Sequence, residues 1–433
     1  MFKMNKENLQ FNKKYILYFF KFLNKKQINY FLLGYNNQFP NKIFSDIDLY
    51  IDFKDFTDLK KIVLGFCNNY GLRINNVIRH EFNSFYFILN KKIKKKNFYI
   101  KLDICNSYVA NSRKLIDFKS AKKIKKNYKS FYYFVLDDYY NIYYYFLKKI
   151  IKNDFNEKQF FILKETYSKL KSQYFINFFG FKAYKIFSDC FTNANYKIFL
   201  KKKDNVYKKI IKLNYFNYIH FFKKLFFRYK YKTGLHVAIL GIDGSGKTTQ
   251  INLIQNSNLK YSFRNVFTQH LFGKKRLNKK INKPYMLKNY GYFLSFIKIT
   301  YLYLSFLYNF LTKLYFKKIC STLIINDRYF EDIIVDPQRY RIGKFNFVLK
   351  YLYIFLPKPD VTFFLKTKSK ILSKRKNEVK NTRLNSLTKN YSDFCKKNKY
   401  IKVINADQKI EKINILLENL INDYLIKRLK KIH

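Results

Sequence analysis

Ten residues, GIDGSGKTTQ at 241–250, constrain this chain more than any other stretch of it. They satisfy G-x-x-x-x-G-K-[ST], with Gly241, Gly246, Lys247 and Thr248 at the required offsets. The apolar run Val237–Leu240 leads in and the helix-periodic Gln250–Ile254 leads out, so the spacing predicts strand, loop and helix in that order. The chemistry needs these residue types. Glycines let consecutive backbone N–H groups converge on a phosphate, the helix N-terminus adds positive potential, and Lys247 neutralises the outer phosphates. Thr248 offers a hydroxyl to Mg²⁺. The chain holds only 11 glycines, which makes a chance match a poor explanation. The loop is expected to bind a nucleoside triphosphate through Gly241, Asp243, Gly244, Ser245, Gly246, Lys247, Thr248 and Thr249.

A length of 433 residues allows two or three domains, each able to bury its own core. A hydrophobic content of 48% excludes a disordered chain. The formal charge of +59, from 87 basic and 28 acidic residues, points to nucleic acid or an anionic membrane surface as a partner. A second explanation stands beside it. Lys, Asn, Ile, Tyr and Phe are all inflated and Trp is absent, as A/T-rich codons would produce, and the lysines are spread rather than clustered. Cys67, Cys105, Cys190, Cys320 and Cys395 form no C-x-x-C pair, which argues against a zinc site or a disulfide framework and fits a reducing cytosol. The first residues lack the apolar core of a signal peptide, so the expected location is cytoplasmic, with the membrane periphery as the alternative. Between Tyr285 and Thr312, Lys288 and Lys298 leave 14 uncharged residues from Ile299 to Thr312, short of the roughly 20 that span a bilayer. A buried helix is expected there, with membrane-surface contact as the other reading.

Three zones separate along the chain: 1–150, 151–232 and 233–433. The first alternates β-like runs (Tyr30–Leu33, Ile47–Ile51, Tyr86–Leu89, Phe98–Ile104) with helical patterns, and the second reads as lysine-faced helices serving as tail or connector. The third places apolar runs at His236–Leu240, Asn265–His270, Thr322–Asn326, Val361–Leu365 and Tyr400–Ile404, separated by helix-length segments. That pattern predicts an α/β fold with a parallel sheet between helices. The run Thr322–Asn326 ends in Asp327-Arg328-Tyr329. A carboxylate at the end of a buried strand is where such folds hold Mg²⁺, and Arg328 offers a fork suited to phosphate.

GIDGSGKTTQ, then DRY at 327–329, then PKPDVTFFLK, then Lys374-Arg375-Lys376 together resemble the thymidylate kinase family over about 235–425. The resemblance implies a P-loop fold with a five-stranded parallel core. It implies ATP with Mg²⁺ as donor and in-line transfer to a nucleoside monophosphate, dTMP and ATP giving dTDP and ADP. It places Lys247 and Thr248 on donor phosphates and Mg²⁺, and Asp327 and Arg328 between donor and acceptor, with Asp327 as a metal ligand. Because Gly244 stands where some members carry a loop arginine, the mobile lid is expected to supply the catalytic cation, Arg375 first and Arg383 second. The chain departs from the family at three places. Leu240 replaces the acid before the first loop glycine, the Arg-Glu-Pro-type acceptor motif is replaced by His270 through Arg276, and Phe330–Arg341 lacks the base-reading glutamine pattern.

Leu32-Leu33-Gly34-Tyr35, followed by Asp46-Ile47-Asp48-Leu49, forms a second constellation. Alternation on a strand puts Asp46 and Asp48 on one face. With Asp103 from the strand-like Ile100–Ile104, the pair can hold two Mg²⁺ around a triphosphate, or the two acids can cap a turn on a lysine-rich surface. Glycine turn, D-x-D strand and later strand acid resemble the nucleotidyltransferase superfamily over about 27–110, with Tyr35 where active members carry Gly or Ser. His80, His220, His236, His270 and His433 lack metal-ligand spacing. The expected activity is a P-loop kinase fused to an α+β nucleotidyltransferase-like domain. Its partners are ATP and a phosphorylated small-molecule acceptor; a homodimer, a nucleic acid or an anionic membrane is admitted and not required. Two alternatives remain: a kinase for another phosphorylated acceptor in nucleotide-sugar or surface-polysaccharide metabolism, and a basic nucleic-acid or membrane-binding protein with regulatory ATP.

Overall fold

The computed structural model describes the chain except residues 1–5, 35–38, 42–45, 153–154, 169–171, 213–214, 272–287, 344, 376–380 and 433. Tyr35, Phe272 to Arg276, Lys376 and His433 therefore lie outside the described residues. The chain divides into two compact units, one built mainly from Tyr229–His433 and the other from Lys3–Lys91 with Phe98–Arg228.

The N-terminal unit opens with α1 (Lys6–Lys25), β1 (Tyr30–Leu32), β2 (Ile47–Ile51) and α2 (Phe56–Tyr70). Helix α2 starts where the Asp55 carboxylate accepts from the Asp58 N–H and stops at Gly71, whose left-handed backbone lets its N–H reach the Cys67 carbonyl. There follow β3 (Arg73–Glu81), β4 (Ser84–Ile93), β5 (Lys96–Cys105), β6 (Ser107–Ala110), β7 (Arg113–Asp117), β8 (Lys123–Tyr128) and β9 (Phe131–Leu136). A mixed seven-stranded sheet runs β3-β4-β5-β2-β1-β9-β8, and β6 and β7 form a separate pair. Strand β2 pairs with β5 in parallel, which seats Asp48 beside Asp103. Helices α3 (Asp138–Ile151), α4 (Glu157–Ser168), α5 (Ser172–Phe179), α6 (Phe181–Thr192), α7 (Tyr196–Lys212) and α8 (Tyr218–Lys230) follow. Phe160, Leu163, Phe187, Phe191 and Phe199 from this helical run share one buried cluster with Phe31, Leu33, Phe146 and Leu147. Helices α4, α6 and α7 thus contribute to the core of the first unit, from Phe160 to Val206.

The C-terminal unit is α/β. Strands β10 (Leu235–Leu240), β11 (Asn265–His270), β12 (Thr322–Asp327), β13 (Val361–Lys366) and β14 (Ile401–Asn405) form one sheet in the order β11-β12-β10-β13-β14. Every pairing in it is parallel. All six residues of β10 are buried, as expected of a strand covered on both faces. Alternation sorts them: Ala238 and Leu240 enter one apolar cluster, Leu235, Val237 and Ile239 the other. Each fully buried Leu or Ile contributes about 1.5–3 kcal/mol, so the two faces fix the register of β10 firmly. The covering helices are α9 (Lys247–Asn256), α10 (Tyr292–Asn309), α11 (Tyr315–Ile319), α12 (Phe330–Val335), α13 (Asn346–Phe355), α14 (Ser369–Arg375), α15 (Asn381–Lys397) and α16 (Ile410–Ile432).

The aromatic segment differs from the expected buried helix. Helix α10 continues through a π turn at Phe310–Leu314 into α11, and this run is long and apolar enough to cross a bilayer by length and composition. Ser295, Ile299, Leu302 and Phe306 pack inward, while Phe293, Ile297, Tyr301, Leu304 and Tyr308 are exposed. Helical spacing gives the segment two apolar faces, and the sheet covers one of them.

Candidate active site

Strand β10 delivers the loop at its carboxyl end, the edge where parallel α/β sheets bind ligands. Gly244 and Gly246 have φ values of 87° and 88°, a region costly for any residue with a Cβ. A Cβ on Gly241 would meet Ser245 Oγ at 2.6 Å. The loop is a cradle that only these glycines permit. Ser245 Oγ is buried without a hydrogen-bond partner, aimed into the turn that Gly241 leaves open. Gly246 caps α9, and Thr248 and Thr249 stand exposed on its first turn. Lys247 Nζ donates to the Gly241 carbonyl at 2.8 Å and the Ile242 carbonyl at 3.0 Å. Burial, then the neighbouring Arg328 guanidinium, push the Lys247 ammonium down to about 8.

Strand β12 lies next to β10, with Asp327 in register with Ile239. Asp327 Oδ1 is buried and unpartnered, the kind of orphan acceptor that a metal-bound water would satisfy. Asp327 and the exposed Thr248 offer oxygen donors, the chemistry a hard divalent cation takes. Arg328 turns the chain with φ 77° while its N–H donates to the Ile239 carbonyl at 3.1 Å. Its guanidinium pairs with Asp332 at 2.5 Å on one side and with Asp243 on the other. Arg339 also pairs with Asp243, and Lys247 lies 3.8 Å from it. Burial alone would raise the Asp243 carboxyl; Arg328, Arg339 and Lys247 outweigh it and hold the group well below the carboxylate range. The Tyr391 hydroxyl donates to Asp332 at 2.7 Å, closing the network from α15.

The two arginines weighed as catalytic cations part company. Arg375, exposed at the end of α14, donates to the Gly244 carbonyl at 3.3 Å and so sits over the phosphate loop. Arg383 pairs with Asp336 at 3.4 Å and donates to Gln338 Oε1, on the segment that follows α12. Sequence reading had not singled out Asp332, Asp336, Arg339 or Tyr391 as site residues. No local pattern marks Asp332 or Tyr391, which meet only where α12 and α15 come together.

In the N-terminal unit, ligand atoms of Asp46, Asp48 and Asp103 all lie within 4.8 Å of one another. The parallel register of β2 and β5 brings them together, and Ser84 Oγ donates to Asp103 at 3.5 Å. Burial, then the Asp48 charge, push the Asp103 carboxyl up to about 7. Gly34 adopts the left-handed backbone of the expected turn, with φ 64°. Sequence reading missed Lys148, whose ammonium pairs with Asp48. Helix α3 carries it there, started by the Asp137 carboxylate accepting from the Tyr140 N–H at 3.0 Å. Of the histidines, His236 is buried edge-on against Tyr329, and burial pushes its imidazole down to about 4.

Residues 239–415 match the thymidylate kinase family profile. No curated protein matches the chain. Among solved structures, thymidylate kinase from Ehrlichia chaffeensis is 21% identical over 43% of this chain and 97% of its own, with a TM-score of 0.32. The Candida albicans thymidylate kinase is 20% identical over 45% of this chain and 94% of its own, with a TM-score of 0.33. The stretch 239–415 that is similar to the thymidylate kinase family contains the GIDGSGKTTQ loop and the Asp327-Arg328 strand end.

Proposed function

We propose that the C-terminal unit transfers the γ-phosphoryl group of ATP to a nucleoside monophosphate, with thymidylate as the acceptor the family match favours. One observation carries the reading. Lys247, Arg328 and Arg339 surround the single carboxylate of Asp243 at the mouth of the phosphate loop. Arg328 pairs with Asp332 as well, so carboxylates hold these cations in place at the loop, where they are positioned to meet donor and acceptor phosphates. Lys247 exchanges its two loop carbonyls for phosphate oxygens, and the loop N–H groups bind the β-phosphate. Thr248 and Asp327 would hold Mg²⁺, which when bound neutralises phosphate charge. Arg328 steadies the acceptor phosphate, whose oxygen attacks the γ-phosphorus as the bond to the β–γ bridging oxygen breaks and ADP leaves. An ionised acceptor phosphate needs no general base, so catalysis rests on positioning and charge compensation. Arg375 covers the loop and would compensate the transferring group as the lid closes.

A second reading, a phosphorylated sugar or other acceptor, is favoured by the segment after Tyr329. That segment lacks the base-reading glutamine pattern, and Arg339 and Asp336 in it are each held in an ion pair. For the N-terminal unit we propose a nucleotidyltransferase-like fold, supported by the Gly34 turn and the Asp46, Asp48 and Asp103 convergence. The test is ADP release across nucleoside monophosphates and sugar phosphates, with Lys247→Ala beside the wild type. Turnover with dTMP that falls about 10²–10³-fold in the variant supports the first reading. Turnover with a sugar phosphate alone moves the acceptor to the second. Full activity in Lys247→Ala would sink both.

A further inference from the structure

The fit of a divalent cation to the N-terminal carboxylates fails at one residue. Lys148 Nζ bonds to Asp48 Oδ2, and both side chains are largely withdrawn from solvent, at 18% and 17% exposure. The ammonium therefore stands where three carboxylates with ligand atoms within 4.8 Å would otherwise hold a metal ion. Mg²⁺ demands six oxygens at about 2.0–2.1 Å in near-ideal octahedral geometry. It cannot share the Asp48 oxygen with an ammonium without two cations meeting at contact distance in a low-dielectric pocket. The ammonium has a second partner: Lys148 lies one turn beyond Tyr144 on α3, with Nζ 5.5 Å from that ring. The Tyr144 ring in turn closes the glycine turn, lying 3.4 Å from where a Cβ of Gly34 would stand. One face of α3 thus carries both the ammonium that pairs with Asp48 and the ring that lies against the Gly34 turn.

We propose that Lys148 is the resident cation of this unit, holding Asp46, Asp48 and Asp103 in place of a divalent metal. The closed site takes up no Mg²⁺ or Mn²⁺ on its own. The inference concerns the N-terminal unit and stands whether or not the kinase reading holds.

Mn²⁺ binding to the full chain without nucleotide, followed by electron paramagnetic resonance, tests it. Asp103→Asn is the blank, since it removes one ligand oxygen and keeps the Lys148–Asp48 pair. The expected result is that wild type and Asp103→Asn bind Mn²⁺ alike and weakly. Lys148→Met should then gain a site at least about tenfold tighter, and Asp103→Asn in that background should abolish the gain. Wild-type Mn²⁺ binding that Asp103→Asn removes would overturn the proposal. So would a Lys148→Met chain that folds by circular dichroism yet gains no site. Should Lys148→Met not fold, Lys148→Gln replaces it, and the comparison of wild type with Asp103→Asn still decides.

Discussion

Arg328 forms one ion pair with Asp243 on the phosphate loop and a second with Asp332 one turn further along the chain. It therefore couples the end of β12 to the loop after β10, two neighbouring strand ends that nothing in the local sequence connects. Arg328 and Asp332 are both buried, so removing the guanidinium leaves a carboxylate in a low-dielectric setting. Arg328→Met should lose about 3–5 kcal/mol of stability by denaturant titration. Arg328→Lys should keep most of the stability and lose about 10²-fold or more in kcat, because an ammonium cannot serve two carboxylates and a phosphate as a planar fork does. A Lys variant with unchanged kcat would show that the pairing is structural only.

Lys247 supplies a pH dependence of known sign. In the ligand-free chain its ammonium titrates near 8, depressed chiefly by burial. Bound phosphates favour the charged form, so ATP binding takes up a proton once the free protein has lost it. The Kd for ATP should be flat up to about pH 7 and rise toward about tenfold per pH unit above 8. Isothermal titration at pH 7, 8 and 9 measures this, and Lys247→Arg, charged throughout, should flatten the profile. A wild-type Kd unchanged between pH 7 and 9 contradicts the assignment.

Glu331 predicts the opposite of the usual carboxylate behaviour. It is fully buried, its Oε1 accepts from the Tyr353 hydroxyl at 2.7 Å, and its Oε2 has no partner. Burial pushes its carboxyl up to about 7. A raised folded-state value means that the native chain binds the proton more tightly than the unfolded one. The stability is therefore complete below about pH 4.5 and lost as pH rises through 7, on the order of 3 kcal/mol in all. Glu331→Gln keeps the acceptor for Tyr353 and removes the titration. The difference in Tm between variant and wild type should grow from pH 5 to pH 8 in favour of the variant. A constant difference would mean that Glu331 stays ionised in the fold.

How much was legible follows from where the information lies. The glycine spacing, the apolar β10 and the acid ending β12 are local, and the five strands of the parallel sheet appear within about a residue of where periodicity puts them. Strand β11 coincides with Asn265–His270. Strand β8, Lys123–Tyr128, was not legible, because an edge strand rich in exposed lysine has neither an apolar face nor a buried run to announce it. Lys148 was hidden for a different reason. It reads as one of many solvated lysines, and only the register of β2 against β5 and the path of α3 bring it to Asp48. Asp332 is likewise an ordinary acid in sequence and becomes a site residue because the left-handed turn at Arg328 leads the chain into α12, which carries it.

Arg375 and Arg383 separate two roles that a lid can play. Arg375 is exposed and its one described hydrogen bond is to the Gly244 carbonyl of the donor loop. Arg383 is half-buried and ties α15 to Asp336 and Gln338, beside the Arg339 that reaches Asp243. Truncating an exposed side chain with one long hydrogen bond costs little stability, so Arg375→Ala should leave Tm within a degree or two. Its loss should appear in kcat, by about 10²-fold, with KM for the acceptor little changed, since compensation of charge on the transferring group is needed only in the transition state. Arg383→Ala should act the other way, raising acceptor KM and lowering Tm as Asp336 loses this ion pair. Steady-state kinetics with both substrates varied reads the two patterns apart. Identical KM effects from both variants would mean that the arginines work as one acceptor-binding pair, and the compensating cation would then have to come from Arg328 or Arg339.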